Sequence, residues 1–104
     1  MKPKLVRDHI PRIIEDTGSA CIVSYVNDTK EHNRWLRMKM EEEVVEFIED
    51  PSYEEAADML EVVKGFCQVN GLSWEDVVEV AQSKAQQRGG FSRGAVLEQV
   101  VYDR

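Results

Sequence analysis

Residues 41–61 read Glu-Glu-Glu-Val-Val-Glu-Phe-Ile-Glu-Asp-Pro-Ser-Tyr-Glu-Glu-Ala-Ala-Asp-Met-Leu-Glu, and the fold turns on them. Apolar residues recur at helical spacing on both sides of Asp50-Pro51-Ser52. Upstream, Leu36, Met40, Val44, Phe47 and Ile48 make the stripe of an amphipathic helix. Downstream, Ala56, Met59, Leu60, Val63, Phe66 and Cys67 make a second stripe. Asp50-Pro51-Ser52 stops one helix and starts the next, with Pro51 near a first helical position. The pattern predicts helices over about 30–49 and about 53–69. So tight a connection makes them antiparallel neighbours.

Working outward, Asn27-Asp28-Thr29, with Glu31 three residues after Asp28, reads as the start of the first long helix. Asn70-Gly71 ends the second in a left-handed cap. Ser73-Trp74-Glu75-Asp76 restarts the chain as a helix, with acids at its positive end. That helix carries Val77, Val80, Ala81 and Ala85 inward and ends near Gly89-Gly90. Pro11 suits the first turn of a short helix through Arg12–Glu15, closed by Gly18. The β-rich stretches 19–26 and 96–102 are expected to pair as a small two-stranded β ribbon. The expected fold is all-α: one domain over residues 1–104, a bundle of about four helices with two long antiparallel central ones.

Apolar residues are 42% of the chain, too many for disorder. With 13 Lys and Arg against 20 Asp and Glu, the net charge is −7. That balance disfavours nucleic acid polymers and anionic membranes as partners. No apolar run approaches the roughly 20 residues that span a bilayer. The opening Met-Lys-Pro-Lys-Leu-Val-Arg-Asp lacks the apolar stretch of a secretory signal. Cys21 and Cys67, outside any CxxC pair, read as small buried hydrophobes. A cytoplasmic protein is the expectation.

Ten of the 20 acids lie between Glu41 and Glu61, a window with no Lys or Arg. At about 100° per residue, Glu43 borders the apolar stripe of the first long helix. Glu46 lies on the same flank, next to Glu42 and Trp35. Glu55 borders the stripe of the second helix, and Asp58 lies beyond it. Glu54 and Glu61 point to the opposite side. Glu43/Glu46 and Glu55/Asp58 are thus two i, i+3 pairs on edges that antiparallel helices can turn toward each other. Four converging carboxylates would repel by several kcal/mol at low effective dielectric. Either some protonate or a cation binds. An all-carboxylate set without His or Cys suits Mg²⁺ or Mn²⁺ rather than zinc. The alternative is two solvated acidic flanks, and Ser52 with Glu55 also fits a capping box.

Positive charge lies outside the window. Lys4 and Arg7 stand near the N-terminus; Lys84 and Arg88 precede Gly89-Gly90, where backbone N–H groups can approach an anion. The alternative for Lys84 and Arg88 is cations completing a helix C-terminus. Trp35 and Trp74 read as core or interface positions, and Phe91 is equally open to base stacking.

Glu42-Glu43-Val44-Val45-Glu46 matches EExxE and Glu55-Ala56-Ala57-Asp58 matches ExxD. Together they resemble the metal motifs of the MazG-like all-α nucleoside triphosphate pyrophosphohydrolases, a group that includes phosphoribosyl-ATP pyrophosphohydrolase and dimeric dUTPases. Lys4-Leu5-Val6-Arg7-Asp8-His9-Ile10-Pro11 resembles the KLVRDKIP opening of a small single-domain branch. Residues 50–60 resemble its turn into EELADxLE, and Lys84–Phe91 its KxxxRGGF ending. His9 stands where the branch has Lys, and Glu41 where the family often has an apolar residue.

The resemblance implies Mg²⁺-dependent cleavage of a nucleoside triphosphate between the α- and β-phosphates, giving monophosphate and pyrophosphate. Clearance of non-standard nucleotides is compatible with that chemistry. It implies Glu43, Glu46, Glu55 and Asp58 as metal ligands and Glu42 as general base or second-metal ligand, with Glu43 also a candidate base. Lys4, Arg7, Asp8, Lys84, Arg88 and Phe91 match the flanking motifs expected to contact phosphate or base. A homodimer or homotetramer is implied. The rival readings are a phosphoribosyl-ATP pyrophosphohydrolase and a non-catalytic helical oligomer that binds nucleotide or a protein partner.

Overall fold

The computed structural model describes residues 2–102. The chain is all-α: α1 (Ile10–Asp16), α2 (Thr29–Glu49), α3 (Tyr53–Val69) and α4 (Trp74–Arg88). It divides into two compact units, Met1–Trp74 and Glu75–Arg104. Among the described residues no helix is long and apolar enough to cross a membrane.

The first unit is built on a helical hairpin, and local chemistry marks its ends. At the start of α2, the Asp28 carboxylate accepts the Glu31 N–H at 2.8 Å, and the Glu31 carboxylate accepts the Asn27 N–H at 3.0 Å. Ser52 caps α3 by accepting the Glu55 N–H at 3.2 Å. At the far end the Leu72 N–H donates to the Cys67 carbonyl and the Gly71 N–H to the Gln68 carbonyl. That double closure needs a left-handed residue, supplied by Gly71 at φ +76°. α1 begins at Ile10, one residue before Pro11, despite the pre-proline bias against helix there.

α2 and α3 run antiparallel. Asn33, in the first turns of α2, and Asn70, the C-cap of α3, exchange two amide hydrogen bonds of 3.0 and 2.8 Å. Inside them, Leu36 faces Gly65 of α3: a Cβ at Gly65 would meet Leu36 Cδ2 at 3.7 Å, an ordinary packing distance. Leu36 (6% exposed) and Cys67 (7%) are the buried apolar residues among those described. The stripe is wider than the hairpin covers: on α2, Val44 and Ile48 remain exposed, Ile48 by 74%, and on α3 Leu60 is 56% exposed.

The ribbon expected from residues 19–26 and 96–102 is not formed; neither segment is a strand. Ile22 and Tyr25 in the first, and Val96, Leu97 and Val101 in the second, are exposed. A lone two-stranded ribbon is marginal in water without a face to pack on. β-branched composition reports a preference for half-buried pleated surfaces, and no such surface is offered to these segments.

Leu36→Ala removes the main apolar contact toward the open end of the α2–α3 seam. It should lower unfolding free energy by about 2–3 kcal/mol, read as a reduced urea midpoint at unchanged m-value.

Candidate metal centre

The seam between α2 and α3 carries, besides Leu36 and Cys67, one buried charged residue, Glu43, which is 4% exposed. Its sequence position at the border of the apolar stripe understated its burial. Along α2, Leu36 and Glu43 are buried and Met40 and Phe47 half-buried, a spacing of four, three and four that lies on one helical edge. A carboxylate thus occupies a position otherwise reserved for a hydrophobe.

The antiparallel register delivers the other acids to it. Single carboxylate oxygens of Glu42, Glu43 and Glu46 lie within 4.8 Å of one another, and so do those of Glu43, Glu55 and Asp58. Glu43 belongs to both groups, so all five acids singled out by the two motifs converge. Of the Glu43 oxygens, Oε1 faces Lys39 Nζ at 3.3 Å, while Oε2 is buried without a hydrogen-bond partner. Glu55 Oε2 is likewise buried and unpartnered. The capping alternative for Glu55 is half realised. Ser52 Oγ accepts the Glu55 N–H, but the Ser52 N–H donates to the Asp50 carbonyl, so the Glu55 carboxylate is left to the cluster. A buried polar atom without a partner costs about 1–3 kcal/mol, more when charged. Glu43 and Glu55 belong to one carboxylate trio, and each keeps such an oxygen.

Repulsion shows in the ionisation of the cluster. The Glu46 carboxyl is raised above its ordinary 4.5, chiefly by the Glu43 charge, then by desolvation, a hydrogen bond to Glu43 and the charges of Glu55 and Glu42. Glu55 is raised by desolvation first, then by the charges of Asp58, Glu43, Asp50 and Glu54.

Two basic residues temper the cluster. Lys39 lies 3.5 Å from Glu42 and 3.3 Å from Glu43. Sequence reasoning stopped at the edge of the acidic window and missed it, although Lys39 stands four residues before Glu43, a spacing that pairs side chains on any helix. Arg7 donates to Asp58 Oδ1 at 2.7 Å across 51 residues of chain, which ties the N-terminal segment to α3. Arg7, expected near phosphate, therefore stands on a proposed metal ligand. Lys4 lines a hollow with Trp35 and Glu42 beside α2. Asp8 lies exposed in the turn before α1. Lys84, Arg88 and Phe91 belong to the second unit, the first two exposed on α4 and Phe91 fully exposed after it.

Five oxygen-donor side chains, two of them with buried unpartnered oxygens, fit a hard divalent cation. The donor set has no nitrogen or sulfur to favour zinc. No family model, curated protein or solved structure matches the chain.

The raised groups set a sign for stability. Because Glu46 and Glu55 have folded-state values above 4.5, their stabilising contribution is complete below that pH and is lost as pH rises through the raised values. Glu46→Gln should therefore melt at a higher temperature than the parent at pH 7 without divalent cations, and the gap should close as pH falls toward 4.5. Adding Mg²⁺ at pH 7 should raise the parent's melting temperature more than the variant's. Thermal melts by circular dichroism check all three; a variant less stable than its parent at pH 7 would show that the repulsion is absent.

Proposed function

We propose that the chain is a Mg²⁺-dependent nucleoside triphosphate pyrophosphohydrolase of the MazG-like all-α group, acting in the cytoplasm. The observation that carries this reading is the buried, unpartnered Glu43 Oε2 at the junction of two carboxylate trios. It is joined by the run of motifs from Lys4 to Phe91. A solvated acidic flank has no use for a carboxylate that is 4% exposed.

In this reading Glu43, Glu46, Glu55 and Asp58 hold Mg²⁺, with Mn²⁺ a substitute. Bound there, the cation would supply neutralisation of phosphate charge and Lewis-acid activation of water. Glu42 is only partly buried, so its carboxylate is accessible, and it takes the proton from the attacking water. The water oxygen bonds to the α-phosphorus and the bond from that phosphorus to the α–β bridging oxygen breaks, leaving monophosphate and pyrophosphate. Arg7, which donates to Asp58 at 2.7 Å, would pair with the departing phosphates. A homodimer or homotetramer is supported by the exposed stripe residues Val44, Ile48 and Leu60, which a second copy would cover.

The test is pyrophosphate release from a panel of standard and modified nucleoside triphosphates and phosphoribosyl-ATP, with and without Mg²⁺. Turnover should require Mg²⁺. Glu46→Gln combined with Asp58→Asn should cut it at least a hundredfold and abolish metal binding, with the helical circular dichroism spectrum unchanged. A folded parent that releases no pyrophosphate from any nucleotide would reject the enzyme reading in favour of a non-catalytic oligomer.

A further inference from the structure

Outside the acid cluster, the first unit carries a hollow between the N-terminal segment and α2, with a volume of about 240 Å³. That is room for several waters or one planar heterocycle. Its walls combine two chemistries. Trp35 and Met38 supply an indole and a thioether; Lys2, Lys4 and Lys39 supply ammonium groups. Pro3 and Leu5 complete the apolar part, and Glu42, which also belongs to a trio of the acid cluster, adds a carboxylate.

This hollow and the candidate metal centre share Glu42 and adjoin at Lys39. Glu42 lines the hollow and meets Glu43 and Glu46 in the cluster. Lys39 lines it too and faces Glu42 and Glu43 at 3.5 and 3.3 Å. An occupant would therefore have an aromatic-compatible body against Trp35 and Met38 and a negative portion reaching the lysines and a cation held by the acids. A free phosphate lacks the body, and an apolar ligand has no use for three ammonium groups. A nucleotide has both parts, joined by a ribose.

Resting on the hydrolase reading above, we infer that this hollow is the nucleoside subsite: the base stacks on Trp35, and Lys2 and Lys4 draw in the phosphate end. Trp35 is then a binding residue, and not the core or interface position its helical spacing suggests. Aromatic stacking is worth about 1–3 kcal/mol per base, enough to set KM.

The chain has two tryptophans, so Trp74→Phe leaves Trp35 as the sole indole reporter. Without divalent cations, nucleoside 5′-monophosphates should quench its fluorescence saturably, while ribose 5-phosphate and inorganic pyrophosphate should not. In turnover, Trp35→Ala should raise KM about tenfold with kcat within threefold, and Trp35→Phe should restore KM to within threefold of the parent. Equal quenching by ribose 5-phosphate, or no quenching by any monophosphate, overturns the subsite. So does an unchanged KM in a folded Trp35→Ala protein, even while pyrophosphate release stands. Saturable quenching in a protein that releases no pyrophosphate supports the subsite and rejects the hydrolase instead. Should Trp35→Ala not fold, the fluorescence titration decides alone.

Discussion

A carboxylate buried in the seam of a two-helix hairpin is the constraint around which the first unit is arranged. Glu43 occupies a seam position of α2 where a Leu or Met would pack, and it keeps one oxygen without a partner. Burying an ionised group is expensive unless it is paired. The hairpin meets that cost only in part, through Lys39 at 3.3 Å. Apolar packing and polar closure at the far end hold the helices together regardless. Leu36 packs toward Gly65, Cys67 is buried, and the Asn33–Asn70 pair locks the start of α2 to the end of α3. Stabilising contacts and strained ones are thus segregated along the hairpin: closure at its open end, repulsion near its turn.

That segregation explains the basic residues found on the acids. Lys39 and Arg7 each engage a carboxylate of the cluster, Lys39 from one turn away on α2 and Arg7 from the N-terminal segment. Each partly offsets repulsion while leaving Glu43 Oε2 and Glu55 Oε2 unpartnered. The same two basic residues lead outward, Lys39 to the hollow beside Trp35 and Arg7 to the segment that precedes α1. Acid cluster, hollow and N-terminal segment are therefore one electrostatic neighbourhood within one unit.

The helices were legible at nearly residue resolution, and particular side chains say why. Asp28 and Ser52 cap α2 and α3 through hydrogen bonds spanning three residues. Gly71 closes α3 with bonds spanning three and five residues. The ribbon failed for the opposite reason. Ile22, Val23 and Val96 have strand-like side chains, but strand formation needs a partner and a packing face. The exposed stripe on Val44, Ile48 and Leu60 likewise follows from the pattern, while the width a single hairpin can cover does not.

Read alone, the chain specified the two long helices, their caps, the tight turn between them and the presence of acids on their adjoining edges. All of these depend on hydrogen bonds and periodicities within a few residues. It did not specify that Glu43 would be buried, that Lys39 and Arg7 would reach the acids, or that Trp35 would border a hollow shared with Glu42. Those follow from the rotation of α2 and α3 about their own axes and from their register. Both are set by packing between residues dozens of positions apart, where a rotation of a few tens of degrees exchanges a solvated glutamate for a buried one.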